Sequence, residues 1–99
     1  MALMEISVVP LGLGTPSLGE YVAALVDYLR RHHIPCRLTD MGTIIEGTPA
    51  QLLEWARILH EIPFEKGVPR VVTHITIDDR RDKKVTLGDK TASVEARLT

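Results

Sequence analysis

His74, Thr76 and Asp78 stand at alternate positions within RVVTHITID, residues 70–78. Side chains of an extended strand alternate between its two faces, so these three share a face with Val72, and Val71, Thr73, Ile75 and Ile77 share the other. A strand face carrying an imidazole, a hydroxyl and a carboxylate can hold a polar or cationic heterocycle by hydrogen bonds. It equally suits a hydrogen-bonded histidine buried in a subunit interface. Glu5 and Glu46 lie on further strand candidates, and with Asp78 they place carboxylates on one sheet face. Such a face favours a cationic ligand and disfavours a phosphate or carboxylate. The alternative leaves these acids solvated, or paired with Arg37 across the sheet.

Other chemistry-bearing stretches carry weaker signals. Gly12-x-Gly14 before a helix start can cradle an anion on free N–H groups, but the third glycine of a dinucleotide site is missing, and a flexible turn explains the pair as well. Asp78-Asp79-Arg80-Arg81-Asp82 offers acids and guanidinium groups, yet adjacent residues of an extended chain point apart. A solvated loop or an intersubunit cluster of ion pairs is the expected role. His32, His33, Cys36 and His60 lack the paired spacing of a metal site, so no metal ligand is expected. No glycine-flanked nucleophilic serine occurs, and the aromatic residues Tyr21, Tyr28 and Trp55 fall on helices rather than on a stacking sheet.

The elements that must position these residues follow from periodicity and turn chemistry. Met4–Pro10 predicts a first strand, with Met4, Ile6 and Val8 on one face and Glu5, Ser7 and Val9 on the other. After the loop LGLGTP, Ser17 with Glu20 predicts a capping box, and Leu18, Val22, Leu25, Val26 and Leu29 form a helical apolar stripe ended by Pro35. Cys36–Met41 and Thr43–Gly47 read as a hairpin about Asp40-Met41-Gly42, with Gly42 supplying positive φ. Ile44 and Glu46 share a strand face, assigned as polar because a small core rarely takes an unpaired carboxylate. Thr48, Pro49 and Gln51 start a second helix, which Pro63 is expected to end or kink. Thr86 and Asp89 start a short third helix with Leu87, Val94 and Leu98 on one side.

Strand, helix, strand, strand, helix, strand, helix is the order of a ferredoxin-like βαββαβ sandwich: an antiparallel four-stranded sheet plus a C-terminal helix, in one domain spanning residues 1–99. Right-handed crossovers put both long helices on one sheet face. The other is left for Glu5, Ser7, Thr39, Glu46, His74, Thr76 and Asp78. A net charge of −1 argues against nucleic acid or an anionic membrane surface as partner. One cysteine, Cys36, excludes an internal disulfide, and no apolar run reaches membrane-spanning length or forms a secretory leader. A cytoplasmic protein is expected.

EISVVPLG, SLGEYVAALVDYL, MGTIIEG and RVVTHITIDDRRD together resemble the small thiamine-binding, YkoF-like family of ferredoxin-like proteins. The order and spacing of MGT-x-x-EG and I-x-I-D-x-R carry the likeness over almost the whole chain. The resemblance implies a cytoplasmic, non-enzymatic binder of thiamine or its hydroxymethylpyrimidine moiety, without a cofactor, assembled as a dimer of dimers. It carries Ser7, Thr43, Glu46 and Asp78 over as ligand contacts; His74 and Thr76 come from the strand phase alone. A carboxylate can accept from the exocyclic amine or offset the thiazolium, a hydroxyl can bond a ring nitrogen, and Val9, Met41 or Ile44 can stack the ring. Two other functions compete. An acylphosphatase-like enzyme needs an arginine in the loop after the first strand, and PLGLGTPS has none. An assembly or regulatory module without a thiamine ligand would use the polar face for self-association.

Overall fold

The computed structural model describes residues 1–12, 14 and 18–98. Strand β1 spans Ala2–Leu11, longer at both ends than its alternation predicts, and buries every second residue from Ala2 through Pro10. Helix α1 (Gly19–Arg31) follows, then the hairpin of β2 (Cys36–Leu38) and β3 (Thr43–Gly47), helix α2 (Pro49–Glu65), β4 (Arg70–Asp78) and α3 (Asp89–Glu95). The sheet order is β2-β3-β1-β4 with every neighbouring pair antiparallel, which is the ferredoxin-like arrangement expected. The core lies between the sheet and the two long helices. Met4, Leu29, Ile45, Leu52 and Leu59 are its fully buried large side chains. Each contributes about 1.5–3 kcal/mol by leaving water.

Helix ends show where local signals hold. The capping box of α2 is present: Gln51 N–H donates to Thr48 Oγ1 at 3.2 Å, and Thr48 N–H donates to Gln51 Oε1 at 3.0 Å. Pro63 does not end α2. Its ring is buried in the core, and the helix runs on to Glu65. The stop comes instead at Gly67 (φ 89°), where Val68 N–H reaches back to the Pro63 carbonyl. In α1 the expected Ser17 cap lies outside the described residues, and Leu18 at the N-cap makes no side-chain bond. Its other end closes through His33 in the left-handed region (φ 55°), with Ile34 N–H donating to the Leu29 carbonyl.

Three further expectations are corrected. β2 ends at Leu38 rather than Met41, because Thr39 turns the chain: its N–H and hydroxyl both donate to the Gly42 carbonyl, at 2.9 and 2.7 Å. Gly42 has no positive φ; a Cβ there would lie 2.9 Å from the Ile6 carbonyl oxygen, so close approach of β1 is what demands glycine. Helix α3 starts at Asp89, and Val94 and Leu98 are exposed rather than packed. Thr86 precedes it, its N–H and hydroxyl donating to the Asp89 carboxylate at 2.8 and 2.9 Å.

Candidate functional site

The face of the sheet away from the helices follows from register, since directly paired residues point the same way. β1 pairs Leu3 with Asp78, Glu5 with Thr76, Ser7 with His74 and Val9 with Val72 of β4; on its other side Leu3 meets Glu46 and Glu5 meets Ile44 of β3. The open face therefore carries Glu5, Ser7, Glu46, His74, Thr76 and Asp78, as the period of two predicts. Thr43 is on the opposite face, paired with Ile6 and only 5% exposed. Its odd position relative to Glu46 already required this. Thr39 has left the face altogether and holds the β2–β3 turn.

The chain after β4 divides the open face in two. Val85 is buried, and Leu87 N–H donates to Glu46 Oε1 at 2.7 Å. Arg37 donates to Thr91 Oγ1 at 3.5 Å, and Lys90 forms an ion pair with Asp78. Arg37 sits across from Ile44 and does not bind the sheet carboxylates. Glu46 and Asp78 are thus already bonded to residues 87–90. Glu5, His74 and Thr76 stay exposed and Ser7 half-buried; Glu5 takes part in no ion pair among the described residues.

Pairing of β1 with β3 stops at Ile6–Thr43, while β1 continues for five residues to Leu11. Beside that stretch, under the β2–β3 turn and the start of α1, lies a cleft of about 200 Å³. Ser7, Val9, Val22, Leu38, Met41 and Thr43 line it. Met41 is 82% exposed at the turn, and the Glu5 Cγ lies within 3.4 Å of the position a Gly42 Cβ would take. Three hydroxyl residues (Ser7, Thr39 and Thr43), several apolar walls and Asp40 meet there, with Glu5 close by. The cleft brings Ser7 and Thr43 together and leaves Glu46, His74, Thr76 and Asp78 outside its lining. The sequence reading placed Glu5 on the polar face but missed Asp40, which lines the cleft. A usable signal for the cleft was the excess length of the first strand over the third.

A second cleft, about 270 Å³, lies among Arg80, Lys83, Lys84, Asp89, Lys90 and Ser93. Its cations are partly neutralised: Arg80 pairs with Asp82, and Lys90 with Asp78. Within the charge run, the guanidinium groups of Arg81 and Arg80 hold the carboxyls of Asp79 and Asp82 below the usual aspartate range. Hydrogen bonds from Thr86 do the same for Asp89. These pairs are local and solvent-facing, as expected of a charged loop. Among the described residues no group of His, Cys, Asp and Glu is placed to hold a metal, and no helix is long and apolar enough to cross a membrane. Gly12 and Gly14 have positive φ, but the rest of their loop lies largely outside the described residues.

Comparison with known proteins adds a family. A model described as thiamine-binding protein matches residues 4–95. The chain belongs to the thiamine-binding protein family. Among relatives of this chain, UPF0045 protein YqgV of Bacillus subtilis is 44% identical, over 99% of this chain and 98% of that one. A UPF0045 protein of Methanothermobacter thermautotrophicus is 37% identical over 99% of this chain and its own full length. The crystal structure of protein MJ1052 from Methanocaldococcus jannaschii superposes with a TM-score of 0.83 at 29% identity, covering 95% of each chain.

Proposed function

We propose that this member of the thiamine-binding family is a non-enzymatic, cytoplasmic binder of thiamine that reads the hydroxymethylpyrimidine moiety in the cleft beside Ser7. The cleft itself carries the reading. Its volume of about 200 Å³ falls below the ~300–1,000 Å³ of pockets for drug-sized molecules, so it suits one ring rather than two. Val9, Leu38 and Met41 offer apolar contact to that ring, and Ser7 and Thr43 offer hydroxyls to its polar edge. The stretch of β1 past Ile6, which β3 does not pair, adds backbone groups suited to an aminopyrimidine.

The second ring then extends over the open face toward His74 and Thr76, where Glu5 offsets a thiazolium charge. Glu46 and Asp78 contribute by anchoring residues 87–90 over the adjoining half of that face. Sequestration or delivery fits better than turnover, because among the described residues no hydrogen bond joins Ser7 Oγ to a general base. Self-association into a dimer of dimers completes the reading, with the polar face close to a subunit interface.

Calorimetric titration with thiamine, thiamine phosphate and free hydroxymethylpyrimidine tests this function. Saturable binding of the first and third, near one ligand per chain, is the expected result. A folded protein that binds none of them contradicts it.

A further inference from the structure

The charge run after β4 and the lysines that follow it have no part in the function above, yet they build a cleft. On an extended chain, Lys83 and Lys84 would point to opposite sides. The chain here is not extended. It bends at Asp82 and Lys83, and both lysines line the cleft of about 270 Å³ beside α3. Arg80, Lys90 and Ser93 join them, Asp89 is the one carboxylate of the lining, and buried Val85 adds an apolar wall. The same two lysines, with Arg80 and Arg81, also line an adjoining cleft of about 420 Å³, so the basic surface continues.

Which of these groups can meet a ligand follows from the partners they already have. Asp78, Asp79 and Asp82 are engaged by Lys90, Arg81 and Arg80. Asp89 accepts from the Thr86 hydroxyl on one oxygen and from the Thr86 N–H on the other. Lys83 and Lys84 form no ion pair among the described residues. Arg80 spends Nε and one terminal nitrogen on Asp82, which leaves its other terminal nitrogen to donate elsewhere. Ser93 Oγ accepts from Arg97, so its own O–H is left to donate. Two ammonium groups, a guanidinium edge and a hydroxyl are all donors, and their common complement is an oxyanion.

Charge and size narrow the anion. A phosphoryl group brings about −1.5 to −2 charges at neutral pH and three acceptor oxygens, enough for both lysines and the two further donors. A carboxylate brings one charge and two oxygens. The cleft lies just under the ~300 Å³ at which pockets for drug-sized molecules begin, so a small organic part fits beside the phosphoryl group. We infer that this cleft binds a phosphoryl dianion, carried by a small phosphate ester or as free phosphate, through Lys83 and Lys84 with Arg80 and Ser93 donating to its oxygens. Its lining shares no residue with the cleft beside Ser7, and the inference does not rest on the thiamine reading.

Amide shifts of the full chain, titrated with ribose 5-phosphate, inorganic phosphate and sodium chloride at matched ionic strength, test the site. Ribose 5-phosphate should give saturable shifts centred on Lys83–Val85 and Lys90–Ser93, and chloride none. Tighter binding of the ester than of inorganic phosphate names an ester as the ligand; equal or weaker binding names free phosphate, and the site stands in both. Lys83→Gln with Lys84→Gln should weaken binding at least tenfold, while Lys83→Arg with Lys84→Arg keeps the charge and retains most of it. Both lysines are exposed, so the melting temperature should stay with the parent's. Lys66→Gln, at the C-terminal end of α2, should change nothing. Shifts that map elsewhere, shifts that never saturate, or a glutamine double variant that binds like the parent would each overturn the inference.

Discussion

Leu87 N–H donates to Glu46 Oε1 at 2.7 Å, tying the segment after β4 to the middle of the sheet across 41 positions of sequence. A hydrogen bond to a carboxylate is worth about 1.5–3 kcal/mol, and this one is partly shielded from water. Glu46→Ala should therefore destabilise the protein by about 1–2 kcal/mol, whereas Glu46→Gln keeps an acceptor and costs less. Amide hydrogen exchange reads the cause directly: the Leu87 amide should lose protection in the alanine variant. Unchanged protection there would mean that the bond does not hold the segment.

Gly42 touches both the fold and the cleft. An alanine Cβ would meet backbone, the Ile6 carbonyl oxygen at 2.9 Å, so a strand rather than a flexible side chain must move. Overpacking of this kind costs about 1–3 kcal/mol. Gly42→Ala should lower the melting temperature and weaken ligand binding together. Full affinity with lowered stability would place the ligand away from the β2–β3 turn.

The Thr86–Asp89 contact responds to acid. Hydrogen bonds from the Thr86 N–H and hydroxyl lower the pKa of Asp89 in the folded protein. A depressed carboxylate stabilises above its unfolded value of ~3.9, and that contribution is lost as pH falls through the lower, folded value. The Thr86 amide shift should follow a single titration with its midpoint below the aspartate of an unfolded peptide. A midpoint at or above that reference would contradict the contact.

Glu5 separates charge from shape in recognition. An exposed ion pair contributes about 0.2–1 kcal/mol, equivalent to as much as fivefold in affinity. Glu5→Gln should weaken thiamine by a few-fold and leave uncharged hydroxymethylpyrimidine unaffected. Equal loss for both would show that Glu5 contacts the pyrimidine instead.

Much of this arrangement is written locally. The alternation of Val71 through Asp78 set the phase of β4, and Thr48-Pro49-x-Gln51 set the start of α2, because each signal acts within a few residues. What escaped detection depends on distant parts of the chain. Whether Pro63 breaks a helix depends on the core it enters, and why position 42 is glycine depends on a carbonyl of β1. Nothing near Glu46 in sequence announces that Leu87 will cover it. The face of Thr43 was readable from parity with Glu46. That it nevertheless shares a cleft with Ser7 required knowing where β3 stops.

The central claim concerns place as much as ligand, so the most direct measurement is a map of backbone amide shifts on titration with hydroxymethylpyrimidine. Saturable shifts at Ser7–Val9 and Thr39–Thr43 are predicted, extending to His74 and Thr76 only when thiamine is the titrant. Shifts confined to Arg80–Ser93, around the basic cleft, would contradict the account.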